Sequence, residues 1–114
     1  EYAEAVYRVT GHNCLICDND VFLAAAADKA TYCGKRISKV LEKLLSERKA
    51  VYLKGNAIIS VANEGVEYKD MAITPIITNG DVTGGIVLLG KTSVGESGVQ
   101  IATIAADFLA KQFQ

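Results

Sequence analysis

Tryptophan is absent from this 114-residue chain, and histidine, methionine and proline occur once each, as His12, Met71 and Pro75. A lone histidine confines any histidine-dependent catalysis to His12. No serine or cysteine nucleophile with an orienting acid stands at a recognisable spacing from it. Because it follows Gly11 at a helix end, a surface or helix-end role is the expectation. The three cysteines, Cys14, Cys17 and Cys33, are an odd number. That argues against a disulfide framework and for reduced thiols in a cytoplasm. Charge of one sign is also lacking: 12 Lys and Arg face 13 Asp and Glu, for a formal net charge of −1. A direct grip on nucleic-acid phosphates needs a clustered basic surplus. No apolar run reaches the roughly 18 residues of a bilayer span, so no membrane partner is expected, and no secretion signal opens the chain. The chain starts at Glu1 inside a helical pattern, which suggests a piece whose upstream part has been removed.

What is present is apolar: half of the residues are hydrophobic, enough for the core of one domain without staples. Residues 1–10 carry Tyr2, Val6 and Val9 at helical spacing, and Gly11 stands where a C-cap glycine belongs. Residues 12–17 and 21–27 read as strands around the hairpin residues Asp18-Asn19-Asp20. Residues 28–36 are polar and irregular, with room for one helical turn. Ile37, Val40, Leu41, Leu44 and Leu45 then draw one stripe on a helix running to about Arg48. Short strands are predicted at 50–53 and 57–62. A longer one at 68–78 places Met71, Ile73, Pro75 and Ile77 on one face, and Pro75 demands an edge or a bulge. Asn79-Gly80-Asp81 is the strongest turn signal. In the strand 82–90, Ile86 and Leu88 point one way and Val87 and Leu89 the other, so the sheet is covered on both faces. The antiparallel hairpins make the fold α+β.

The closing helix, 96–113, has a single narrow polar stripe at Gln100, Thr103, Asp107, Lys111 and Gln114. A surface helix buries one stripe, and this one is apolar almost all round. The first helix shows the same excess at Ala3, Ala5 and Tyr7. Either one terminal helix covers the other within a chain, or both form an interface with a second copy. The second reading predicts a homodimer or higher oligomer through Tyr2, Val6, Val9, Ile101, Ala105, Phe108 and Leu109.

The remaining chemistry-bearing residues have structural readings. Cys14-x-x-Cys17 lies in a predicted strand, where positions three apart face opposite sides. One pair cannot close a zinc site, and His12 and Cys33 add no standard second pair, so no metal is expected and the thiols read as core. Asp18 and Asp20 read as hairpin residues rather than a metal-binding pair. Gly80, Gly84 and Gly85 lack the strand–loop–helix context of a phosphate loop and read as turn and close packing. Lys35, Arg36 and Lys39 cluster at a helix start, where they could meet a ligand anion or simply be solvated.

Four stretches add a resemblance: GHNCLICDNDVF at Gly11–Phe22, KRISKVLEKLLSER at Lys35–Arg48, PIITNGDVTGGIVLLGK at Pro75–Lys91 and AADFLAKQ at Ala105–Gln112. In that order they resemble the C-terminal domain of the stage V sporulation protein T family, AbrB-type transcription regulators of endospore formers. The resemblance implies a GAF/PAS-like fold. Its central antiparallel sheet of five or six strands would have the terminal helices on one face and a crossing segment on the other. It also implies that a missing N-terminal domain contacts DNA in the forespore, while this part senses a signal or oligomerises, without catalysis and with no cofactor. In GAF domains a ligand sits between the sheet and the crossing segment, here Asp28–Ile37. That names Tyr32 and Cys33 on the segment and Ile59, Val61, Met71 and Ile73 on the facing strands, to which the basic cluster adds Lys35 and Arg36 as candidate contacts to a ligand anion. The same residues could instead fill a solid core, leaving a structural oligomerisation module. A small thiol-dependent enzyme, such as a sulfoxide reductase, is the remaining alternative and would need an exposed, activated cysteine.

Overall fold

The computed structural model describes residues 2–55, 60–62 and 68–112. Its elements are α1 (Tyr2–Thr10), β1 (Asn13–Cys17), β2 (Phe22–Ala25), α2 (Lys29–Tyr32), α3 (Lys39–Ser46), β3 (Val51–Lys54), β4 (Asp70–Thr78), β5 (Asp81–Gly90) and α4 (Gly95–Gln112). The five strands form one sheet in the order β2-β1-β5-β4-β3, with every neighbouring pair antiparallel. This is the expected α+β architecture. Among the described residues, no helix is long and apolar enough to cross a membrane.

Alternation along β5 explains the layers. Ile86 and Leu88 join a cluster under α1 and α4 that includes Val6, Ala102 and Leu109. Val87 and Leu89 join a second cluster with Leu41 and Leu45 of α3 and Tyr32 of α2. A strand alternates faces with period two, so one apolar run serves both layers. Cys14 and Cys17 divide between the same two clusters.

Local chemistry sets the register. Asn79 and Gly80 both take positive φ, 52° and 86°, as a two-residue hairpin turn requires. Gly84 and Gly85 let other elements approach. A Cβ at Gly84 would stand 2.1 Å from the Cys17 carbonyl oxygen, and one at Gly85 would stand 2.4 Å from Leu45 Cδ2. Pro75 falls beyond the reach of β3, which pairs with residues 70–73 of β4 only, and next to a register shift at Ile76/Ile77. Both the edge and the bulge anticipated for Pro75 are therefore present.

Three expectations need correction. The helix predicted from Ile37 starts at Lys39, because Ile37 bridges to Ala62 and Ser38 is the N-cap, its Oγ accepting from the Leu41 N–H at 3.1 Å. Val40 is half-exposed: so short a helix turns only Leu41 and Leu45 fully onto the sheet. Of the strand predicted at 57–62, residues 57–59 lie outside the described part, and Ala62 contributes a single bridge.

Candidate functional site

The layer between the sheet and α2/α3 gathers the residues that the sequence assigned to a pocket. Tyr32, Val61, Met71 and Ile73 all belong to its cluster. β4 supplies Met71 and Ile73 from one face. Ser38 supplies the anchor that carries Val61, its N–H donating to the Val61 carbonyl at 2.8 Å and its Oγ to the Ser60 carbonyl at 2.7 Å. Tyr32 packs edge-on to Phe22, ring centroids 5.8 Å apart. These side chains close on one another: Tyr32 and Ile73 are 1% exposed and Met71 is 2% exposed.

The other assigned residues fall elsewhere. Cys33 is exposed, because Tyr32 takes the inward position and the extended residue after it faces out. Arg36 is also exposed and pairs with Asp20 at 3.3 Å, on a surface groove of about 420 Å3 between the β1–β2 hairpin and the start of α3. Lys35 is exposed and holds the β2 edge through its carbonyl, which accepts from the Phe22 N–H at 3.0 Å. Ile59 lies outside the described residues.

The titratable groups behave as structural ones. Burial pushes the Cys14 and Cys17 thiols up to about 12, the reverse of an activated nucleophile. Asp18 accepts from the Asp20 and Val21 N–H groups at 2.7 and 2.8 Å, a hairpin role. His12 lies at the end of α1, as expected, its N–H donating to Thr10 Oγ1 at 3.1 Å, but it is buried rather than on the surface. Its ring packs over Gly90, where a Cβ would come within 3.0 Å of Nδ1. Among the described residues, no group of three His, Cys, Asp or Glu could hold a metal ion.

The second candidate surface is the outer side of the terminal helices. α1 and α4 lie side by side, with Tyr2 and Phe108 stacked at 5.0 Å. Small residues of α4, among them Gly98, Ala102 and Ala106, face the sheet. Ile101, Ile104 and Phe108, spaced i, i+3, i+7, form an adjacent apolar stripe. Ile104 is 68% exposed, Phe108 48%, Val9 74% and Tyr7 42%. Val6, Ala105 and Leu109, assigned to a dimer contact, are instead buried in their own protomer. Ile104 was missing from the assigned set, although its place in the stripe is readable from the helical period.

The family model described as "Stage V sporulation protein T C-terminal, transcription factor" matches residues 1–114. Stage V sporulation protein T of Bacillus subtilis (strain 168) is 36% identical over 119 residues, covering the whole chain and 66% of the relative. The chain thus spans about two thirds of that curated relative. Among solved structures, residues 122 to 287 of a methyl-accepting chemotaxis protein superpose with a TM-score of 0.79 at 18% identity, covering 98% of this chain and 84% of that one. The cofactor-binding GAF domain of the nutrient sensor CodY from Clostridium difficile gives 0.75 at 18% identity, covering 98% and 81%. These likenesses establish a GAF-like fold, and the chain belongs to the stage V sporulation protein T C-terminal family of transcription factors.

Proposed function

We propose that this domain is a sensing and dimerisation module that couples a small-molecule or oligomeric signal to a DNA-binding domain elsewhere in its parent protein. The observation that carries the reading is the apolar outer surface at Ile104 and Phe108 of α4 and Val9 of α1, which lies one heptad from the Tyr2 that stacks on Phe108. Large exposed apolar side chains grouped on two adjacent helices mark a protein contact. A second copy of the chain is the partner that the paired terminal helices favour, since a two-fold contact lays the same surface on itself. The formal net charge of −1 supports leaving DNA contact to another domain.

A ligand would act by preferring one arrangement of the layers over another. The GAF domain of CodY, a cofactor-binding relative in fold, supports a ligand in a fold of this kind, and the layer between the sheet and α2/α3 is where the crossing segment would cover it. The reading is non-enzymatic, in keeping with a family of transcription factors; burial also pushes the Cys14 and Cys17 thiols up, against their use as nucleophiles. Light scattering on the isolated domain tests the association. A dimer at micromolar concentration is expected, and a clean monomer at high micromolar concentration overturns that part.

The tight closure of Tyr32, Met71 and Ile73 favours a second reading, a structural oligomerisation module with no ligand. A thermal-shift screen of metabolites separates the two. A saturable rise in melting temperature that is lost on enlarging Ile73 supports sensing, and a flat response supports scaffolding.

A further inference from the structure

Asp28 stands at the N-cap of α2 but does not cap it: its side chain accepts no hydrogen bond from the first turn. The carboxylate is engaged elsewhere, with the Tyr68 hydroxyl donating to Asp28 Oδ2 at 3.0 Å. Asp28 also holds a left-handed backbone, φ 56° and ψ 41°. Aspartate is among the few residues besides glycine that adopt that conformation as single residues, and a side-chain contact can select it. The next residue, Lys29, reaches round the sheet edge to α1, its Nζ 2.9 Å from Glu4 Oε2.

Two consecutive residues therefore touch both layers. Tyr68 packs against the cluster beneath α2 and α3, while Glu4 belongs to α1. The chain just before them is fixed to β1. Asn13 donates to the Ala27 carbonyl at 2.9 Å and accepts from its N–H at 2.8 Å, and the Ala26 N–H reaches the Cys14 carbonyl at 2.9 Å. The crossing segment is thus pinned to β1 through Ala27, and Asp28 is the first residue beyond that anchor.

We propose that Asp28–Lys29 is a hinge coupling the α2/α3 layer to α1. While Tyr68 holds the Asp28 carboxylate, Asp28 stays at positive φ and Lys29 sits against Glu4. When Tyr68 is drawn away, Asp28 relaxes to negative φ and Lys29 leaves α1. The inference deepens the sensing reading and rests on it for the nature of the input; the coupling itself is observable without a ligand.

The test is amide hydrogen exchange on the folded domain, read at Val6–Thr10 with α4 as the control for global unfolding. Tyr68→Phe removes the holding contact and is expected to speed α1 exchange roughly two- to fivefold, the range of a surface ion pair. In a Lys29→Met background the same substitution leaves α1 unchanged. In the charge-exchanged Glu4→Lys/Lys29→Glu background the effect returns. Asp28→Ala, which lacks the carboxylate and disfavours positive φ, reproduces the released state should Tyr68→Phe fold poorly. Equal α1 exchange with and without the Tyr68 hydroxyl, or an effect indifferent to Lys29, overturns the hinge. Such a failure leaves the sensing reading untouched, since that reading is decided by ligand-dependent melting.

Discussion

Replacing Ile104 by Asp separates association from folding. Fully burying an isoleucine side chain contributes about 1.5–3 kcal/mol, and Ile104 keeps 68% of its surface in the protomer. Covering the remainder contributes about 1–2 kcal/mol per copy. A two-fold contact repeats this on both sides, so the dimer gains about 2–4 kcal/mol, or roughly 30- to 1,000-fold in Kd. Ile104→Asp removes that gain and adds a carboxylate that the contact must desolvate. Sedimentation velocity across a micromolar concentration series should therefore show Kd raised by at least about 30-fold. The protomer's urea midpoint should barely move, since exposed substitutions shift stability by about 0.5 kcal/mol or less. Val40→Asp is the matched control: Val40 is 50% exposed but lies on α3, so its substitution should leave the dimer intact. A folded Ile104→Asp protein that dimerises as tightly as the unmodified chain refutes the assignment of this surface.

Thr74 Oγ1 is buried with no hydrogen-bond partner among the described residues, so Thr74→Val should stabilise the domain by about 1 kcal/mol in urea melts; a loss of stability instead means that the hydroxyl has a partner in solution. A thiol reagent added to the native protein should label Cys33 fast, and Cys14 and Cys17 at the rate of unfolding, because the latter two are buried with raised pKa; fast labelling of all three contradicts the core assignment. Burial works against the Asp70 charge, yet the Tyr52 hydroxyl and the Val94 N–H, at 2.6 and 2.7 Å, together with Ser93 and Lys54, hold its pKa below the ordinary value. The stabilisation is then complete above the ordinary carboxylate pKa and fades as pH falls through the lower folded value. Acid melts of Asp70→Asn should lack that part of the decline, and parallel curves would reject the assignment.

The sequence disclosed features fixed by short-range chemistry. Asn79-Gly80 announced its turn because few residue pairs accept two positive φ angles. The two-sided pattern of Ile86–Leu89 disclosed a sheet covered on both faces, because alternation sends successive side chains to opposite sides. The start of α3 was misplaced because Ile37 has helical spacing, while a contact with Ala62, 25 positions away, claims it. Cys33 entered the pocket set by adjacency to Tyr32, and adjacency does not say which of two neighbours faces inward. His12 was placed outside because polar residues at helix ends usually are; its burial depends on the bare backbone of Gly90 beside it. The Tyr68–Asp28 contact spans 40 positions and has no local signature, so the hinge it forms was invisible.

On α4 the usual relation between residue size and burial is reversed. Gly98, Ala102, Ala105 and Ala106 face the sheet, while Ile104 and Phe108 stand out from it. Small inward residues let the helix approach the sheet closely, and they leave little side-chain volume to specify where it sits. Overpacking is then the sensitive perturbation on the inner stripe: enlarging Ala102 or Ala106, which are 0% and 2% exposed, forces α4 off β4 and β5 at about 1–3 kcal/mol. Truncation is the sensitive perturbation on the outer stripe, where the proposed second copy would pack on the large side chains. On that proposal, folding and association are written on adjacent stripes of one helix. A signal that shifts α4 on its smooth inner face would move the outer stripe with it, and so carry a change of state from the sheet to the surface of the proposed contact.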